Sequence, residues 1–404
     1  MDFRSLSKEL LTVFILLSLV SLFADMTYEG ARSVLGSYAG ALGATALSAS
    51  LAGIGEFLGY VARLFTGLLA GYWRSSRMYW SLLFLGYVLN LVVCPLLALS
   101  GYWQVAILLI FLERVGKGLR TPVRDVILAE VAEKVGKGKA FGLHEALDQA
   151  GAVLGPSMVS ITLYLTGNSY PVAFSLLAIP AAASIVFLFN AYTRYPNVRS
   201  AEDVTPVLKS GSTLSRIFWL YVISMSIMAI GFIHWVNISY YLRAEGVPDY
   251  LIAAMYLVAM LVDGLFALPM GLIYDKVGLT SLVLAPIFSA SAVLTLLTGD
   301  LTSAVISSVF WGAAMGTYEG VARAAIADIV PLSGRAYGYG IFGTLFGVAW
   351  MAGSMVYGHL YQHGLNNFMR IFAVITEFAA LVMLLICVRL WRKSRLWVKG
   401  DSFG

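Results

Sequence analysis

In an otherwise apolar stretch, residues 23–32 read FADMTYEGAR. Asp25, Glu29 and Arg32 stand at i, i+4 and i+7, so a helix would put all three on one face. A charge at the middle of a bilayer costs about 2.5–3.5 kcal/mol on insertion scales, so it persists where it pairs or works. Glu29 and Arg32 are spaced to pair, which leaves Asp25 as the freer acid. A carboxylate removed from water takes up a proton more readily than one in solution, which is the property proton exchange requires. The plainer alternative is an ion cluster that only holds helices together.

A second concentration of charge reads LIFLERVGKGLRTPVRD at 109–125. Glu113, Lys117, Arg120 and Arg124 form one stripe, with Arg114 and Asp125 beside it. A fixed cation favours the ionised form of a neighbouring acid, and separating the two favours the protonated form. Glu56 and Arg63, with Tyr60 between them, are expected to pair with these charges or with those of residues 25–32. A third group lies in FGLHEALDQAGAVLGP at 141–156. His144, Asp148, Gly151 and Gly155 share a helix face, Glu145 and Pro156 flank it, and glycines on such a face let two helices approach closely. That face is expected to meet the other half of the molecule as a cytoplasmic gate, the alternative being a local His144–Asp148 pair.

The second half is poorer in charge. It offers His234, Asp263, Glu377 and the i, i+4 pair Glu319 and Arg323, with Trp235, Trp311 and Tyr318 among its aromatics. Ionic groups in one half and aromatic ones in the other would suit a charged or zwitterionic organic molecule. The same aromatics also suit a membrane interface.

These residues must be held by elements that composition identifies. Of the 404 residues, 59% are hydrophobic and 12% charged, about half the charge of a soluble domain. Apolar runs long enough to cross a bilayer recur throughout, and the short alternating strands of a β-barrel are absent. The chain therefore reads as an all-α polytopic membrane protein in contact with a lipid bilayer. Hydropathy and breakers divide it into twelve spans, near 10–36, 44–72, 78–99, 103–131, 139–166, 170–193, 214–242, 250–274, 279–298, 302–330, 336–361 and 367–392.

Residues 194–213 are the one long polar stretch, and they fall at the midpoint. They divide the chain into an N-terminal six-helix bundle (1–193), a cytoplasmic linker and a C-terminal six-helix bundle with a basic tail (214–404). With the N-terminus inside, basic residues such as Arg74, Lys134, Lys209 and Arg335 fall in inside loops. Arg389, Arg392 and Lys393 fall in the tail. This asymmetry puts both termini in the cytoplasm of a cell-membrane protein, and it accounts for the net charge of +5 without nucleic-acid binding. The halves also echo each other. GLLAGYWRSS (67–76) corresponds to GLIYDKVGLT (271–280), and GKAFG (138–142) to GRAYG (334–338), which indicates an internal duplication.

These motifs resemble the major facilitator superfamily of secondary transporters. Gly271, Asp275, Lys276 and Gly278 match the family's loop motif. The first-half copy departs from it, with Gly71 where Asp is usual and Arg74 where Gly is usual. Arg114 and Gly118 match its fourth-span motif, with Lys117 and Arg120 as departures. Gly142, Gly151, Gly155 and Pro156 follow its antiporter signature. The resemblance implies two pseudo-symmetric six-helix bundles, alternating access and proton-coupled efflux of a small-molecule substrate. It also implicates an acid in span 1 and the Arg in span 4 in coupling to protons.

A symporter or uniporter for organic anions, drawn by Lys117 and Arg120, is the next reading. A divalent-metal exporter built on Asp25, Glu29 and His234 has few ligands, and no metal site is expected. No HExxH, nucleotide motif or nucleophile with a positioned base appears, so neither an enzyme nor a cofactor is expected. Cys94 and Cys387 lie in apolar runs and read as packing residues. The protein is expected to work as a monomer.

Overall fold

The computed structural model of the chain describes residues 3–73, 75–132, 137–199, 214–331 and 334–400. Most of the expected linker (200–213), and Arg74, Lys134 and Lys209 of the orientation pattern, lie outside the described residues. Helices occupy all twelve of the stretches expected from hydropathy. They are α1 (Phe3–Ser33), α2 (Leu35–Ala41), α3 (Ala46–Ser50), α4 (Gly53–Trp73), α5 (Ser76–Leu96), α6 (Trp103–Ala132), α7 (Lys137–Leu165), α8 (Tyr170–Leu176), α9 (Ala178–Arg194), α10 (Arg216–Gly231), α11 (Trp235–Ala244), α12 (Asp249–Val277), α13 (Leu284–Leu296), α14 (Leu301–Ile329), α15 (Arg335–Gln362) and α16 (Asn366–Gly400). Among the described residues, 7 helical stretches are long and apolar enough to cross a membrane. The expected spans 2, 4, 5 and 10 fall outside that set, and they are the helices that carry charge clusters or glycines.

Local chemistry sets the ends. The side chains of Ser75, Ser215 and Asp300 accept hydrogen bonds from the backbone N–H groups of Met78, Phe218 and Ser303, satisfying donors that the first turn leaves open. Gly278 closes α12 at φ +61°, a left-handed conformation, with the Trp391 ring packed against it. This gives the last glycine of the loop motif a backbone role.

The chain forms two compact units. The first comprises residues 1–206 and 235–260, the second residues 207–234 and 261–404. In the first unit α1 packs on α7 and α9, and α5 on α6. In the second, α10 packs on α15 and α16, and α13 on α14. In span numbering these are pairs 1·5, 1·6 and 3·4 repeated as 7·11, 7·12 and 9·10, as an internal duplication requires. Small residues allow the closest approaches. A Cβ on Gly151 would run into the Leu22 carbonyl, and one on Gly155 would meet Met26 and Gly30.

The glycine face of α7, expected from its periodicity to meet the other half, packs its Gly151 and Gly155 on α1 of the same unit. Glycine was required because the two backbones touch. Replacing Gly155 with Val should destabilise the protein by at least the ~1–3 kcal/mol of an overpacked core, read as a lower unfolding temperature in detergent. Gly142→Ala on the same helix, where a Cβ meets nothing within 4 Å, should leave that temperature nearly unchanged.

Span 7 is broken. α10 stops at Gly231, Phe232–His234 are not helical, and α11 resumes at Trp235. The break falls where the chain passes from the second unit to the first. Unpaired carbonyls are costly away from water, and those of Gly231, Phe232 and Ile233 each have a side-chain donor. Tyr357 Oη donates to the Gly231 carbonyl at 2.5 Å, Trp350 Nε1 to that of Phe232 at 2.9 Å, and Trp311 Nε1 to that of Ile233 at 2.9 Å. Within the first unit, Trp235 Nε1 donates to the Ser33 carbonyl at 2.9 Å and Gly36 N–H donates to Ser239 Oγ at 3.0 Å, fixing α11 to α1 and α2.

Candidate functional site

Three helices of the first unit, α1, α4 and α6, bring their charges into one web. Arg32 bridges Glu29 and Glu56, each at 2.9 Å. Arg114 Nε lies 3.3 Å from the same Glu56 oxygen and 3.1 Å from Glu113. Lys117 Nζ lies 4.0 Å from Glu29, and Arg120 Nη2 lies 3.9 Å from Asp25. Gly55 and Gly59 of α4 make room for this, since the Arg114 side chain and carbonyl lie directly against them.

Neutral partners complete the web. Asn90 Nδ2 donates to Glu113 Oε1 at 2.7 Å. The Tyr256 hydroxyl donates to Glu29 Oε2. Arg120 donates to the Tyr87 hydroxyl at 3.1 Å and lies over that ring, 4.5 Å from its centroid. Lys117 lies 4.2 Å from the Tyr28 ring centroid.

Asp25, Glu29, Glu56 and Glu113 face Arg32, Arg114, Lys117 and Arg120, one cation for each acid. The surplus carboxylate expected from α1 alone is thus offset by cations of α6, which span-by-span reading could not assign. The acids differ in how tightly they are held. Glu29, Glu56 and Glu113 each touch a guanidinium at 2.9–3.1 Å, whereas the nearest guanidinium contact of Asp25 among the described residues is 3.9 Å, with Lys117 and the Tyr28 hydroxyl as further neighbours. The partner of Asp25 is Arg120 rather than the motif residue Arg114, which is 4% exposed and committed to Glu56 and Glu113. Lys117 is the most accessible cation of the web, its side chain 29% exposed. Arg63 lies over the Tyr60 ring, 5.6 Å from its centroid.

A second cluster joins α6 to α7. Arg124 grips Asp125 at 2.8 Å and reaches Asp148 at 4.0 Å, and His144 Nε2 lies 3.6 Å from the same Asp148 oxygen. His144 Nδ1 is 3.3 Å from Ser18 Oγ on α1. Asp148 lies within coulombic reach of Asp25, because Gly151, one turn further along α7, is seated at Asp25 itself. Glu145 is exposed, and Pro156 follows Gly155 in the interior of α7. All of these contacts lie within the first unit.

In the second unit the expected residues are dispersed. His234 is buried with its ring 4.9 Å from that of Trp350. Asp263 is buried where Gly316 packs on its backbone. Tyr318 stacks on Phe346 at 4.6 Å. Glu319 and Arg323 are exposed on α14. In the loop motif, Asp275 is exposed, a Cβ on Gly271 would meet nothing within 4 Å, and Tyr274 Oη donates to Asp328 at 3.0 Å.

Trp235, Tyr256 and Trp311 are buried, so they act as hydrogen-bond donors in protein, not as an interfacial belt. Sequence reading passed over Tyr28, Tyr87, Asn90, Trp350 and Tyr357. Asn90 alone carried a signal, as an amide in an apolar span. The others were aromatics among many.

A polytopic helical bundle with a buried, internally balanced web of charge is the architecture of a membrane carrier. The Major Facilitator Superfamily profile matches residues 17–262, and the chain belongs to that family. It is a multi-pass secondary transporter. An uncharacterised protein of Mycobacterium tuberculosis is 37% identical over 380 residues, covering 92% of this chain and 91% of that one. An uncharacterised MFS-type transporter of Methanocaldococcus jannaschii is 25% identical over 371 residues, with 89% and 90% covered.

Among solved structures, the nucleoside transporter NupG superposes with a TM-score of 0.70 at 13% identity, covering 92% of this chain and 99% of its own. A POT family transporter in complex with a peptide conjugate gives 0.72 at 15% identity, with 94% and 96% covered. At such identities these two establish the shared fold.

Proposed function

We propose that this transporter exports a small polar, charged or amphipathic organic solute in exchange for protons. In this reading it is a monomer in the cell membrane, with twelve spans in two bundles of six joined by a cytoplasmic linker, and with both termini inside. The observation that carries the reading is the position of Asp25. It is an acid in a membrane-embedded web, its side chain 13% exposed, whose ion pair with Arg120 is long at 3.9 Å, while its three fellow acids are firmly held. A proton can be added there without breaking a short ion pair, and it releases Arg120. Arg124, Asp148 and His144, one to two turns along, would carry that change toward the cytoplasmic end as a gate. The antiporter signature Gly142, Gly151, Gly155 and Pro156 supports export over uptake.

The test is reconstitution into liposomes that contain a pH-sensitive dye. Candidate organic cations, zwitterions and anions are supplied on the side opposite an imposed proton gradient. Collapse of the gradient on addition of an opposed solute supports antiport. Collapse only when solute and protons move in the same direction replaces the reading with symport, and solute flux without proton movement removes coupling altogether.

A specific observation favours an anionic solute, by either direction of transport. Lys117 is the accessible ammonium of the web, and its nearest carboxylate is 4.0 Å away. Lys117→Gln should raise the KM for an anionic solute about 10-fold, the ~1.4 kcal/mol of one charge-assisted hydrogen bond. The KM for cations should not change. An unaltered KM for every anion tested would remove Lys117 from recognition.

A further inference from the structure

Glu377 on α16 plays no part in the web around Asp25. It belongs to the second unit, and it is 2% exposed. Oε1 accepts the Ser289 hydroxyl from α13, and Oε2 has no hydrogen-bond partner. No ion pair among the described residues reaches it.

Each neighbouring element is accounted for. α10, α13, α15 and the turn at 278–283 pack on α16. α13 carries no titratable side chain, and α15 presents the Tyr357 phenol. The 278–283 turn meets Trp391 and Arg392, about four turns away. At the carboxyl α10 presents the backbone of Gly231, seated so closely that a Cβ there would lie 2.7 Å from Oε1, while its Tyr221 phenol lies near Cys387, about three turns along α16. Gly231 is the last residue of α10 before span 7 breaks, and Tyr357 donates to its carbonyl. A buried carboxyl thus lies directly under the break, with no cation to balance it.

We propose that Glu377 is a second proton-binding site, in which the neutral acid holds the end of α10 seated and loss of its proton to entering water unseats it. An isolated buried carboxylate is too costly to persist, so the seated state requires the acid form. When Gly231 moves away, water reaches Oε2, accepts the proton and solvates the anion. The sign follows from linkage: acid favours the seated state, and alkali favours the unseated one. The site is independent of Asp25.

The test uses the full-length protein in liposomes with no solute. Infrared difference spectra are recorded across a pH step, and a nitroxide pair at exposed Ile223 (α10) and Ala244 (α11) reports the distance across the break. The wild type should show a protonated-carboxyl band and a distance distribution that shifts with pH. Glu377→Gln, a neutral isostere, should lose the band and keep the acid-form distribution at every pH. Ser289→Ala should shift the band without removing it. Asp25→Asn should leave both readouts intact, which separates failure here from failure of the coupling reading. Three results would each overturn the proposal: identical spectra for wild type and Glu377→Gln, a wild-type distribution that ignores pH, or a Gln variant that responds to pH as the wild type does.

Discussion

Asp25→Asn should reduce solute exchange driven by a pH gradient to the leak of protein-free liposomes, while solute binding and solute–solute counterflow survive. Asn has nearly the volume of Asp but cannot be protonated, so the variant tests the proton and not the packing. The substitution removes the charge that faces Arg120 at 3.9 Å and breaks no short ion pair, and the Asn side chain can still hydrogen-bond to the Tyr28 hydroxyl. Arg120 keeps the Tyr87 hydroxyl at 3.1 Å and its place over that ring, so folding should be largely retained. The measurement is paired flux, gradient-driven and counterflow, on the same preparation. Unchanged gradient-driven flux would exclude Asp25 as the coupling site. Loss of both fluxes with a normal unfolding temperature would make it a substrate contact instead.

The largest effect on stability is expected at Glu56. One of its oxygens accepts a hydrogen bond from Arg32 at 2.9 Å and forms an ion pair with Arg114 Nε at 3.3 Å. Glu56→Ala leaves two buried guanidiniums sharing too few acids, and breaking a buried pair by removing one partner costs about 3–5 kcal/mol. Unfolding in detergent, followed by intrinsic fluorescence, should show that loss. Glu56→Gln, which keeps an acceptor oxygen without the charge, should lose less.

Arg114→Leu removes one of the two cations that depend on Glu56. The double variant Glu56→Leu/Arg114→Leu should therefore be more stable than the two single effects predict when summed. Strict additivity would mean the web is not a coupled network.

Much of this was legible in the sequence because a bilayer is an unforgiving solvent. Apolar runs located the helical stretches among the described residues, and the charges of spans 1, 2 and 4 marked residues that meet. Glu56 was expected to find partners in spans 1 and 4, and it did. Other expectations went astray for one physical reason: periodicity gives the face of a helix but not what lies opposite it. The 144–155 face was assigned to the far half and is instead seated on α1. Which cation of span 4 faces Asp25 was likewise not readable from the motif, and the structure puts Arg120 there. Glu377 had no evident role until the structure put the end of α10 on top of it.

By itself, then, the sequence determined the class of protein, its helices, its duplication and which side chains carry charge, because each of these follows from hydropathy and spacing along one dimension. Only the tertiary structure decided which acid answers which cation, which glycines are backbone contacts, and that span 7 breaks with side-chain donors for the carbonyls of Gly231, Phe232 and Ile233. Those outcomes depend on distances of 3–4 Å between helices far apart in the chain, and no local pattern encodes them.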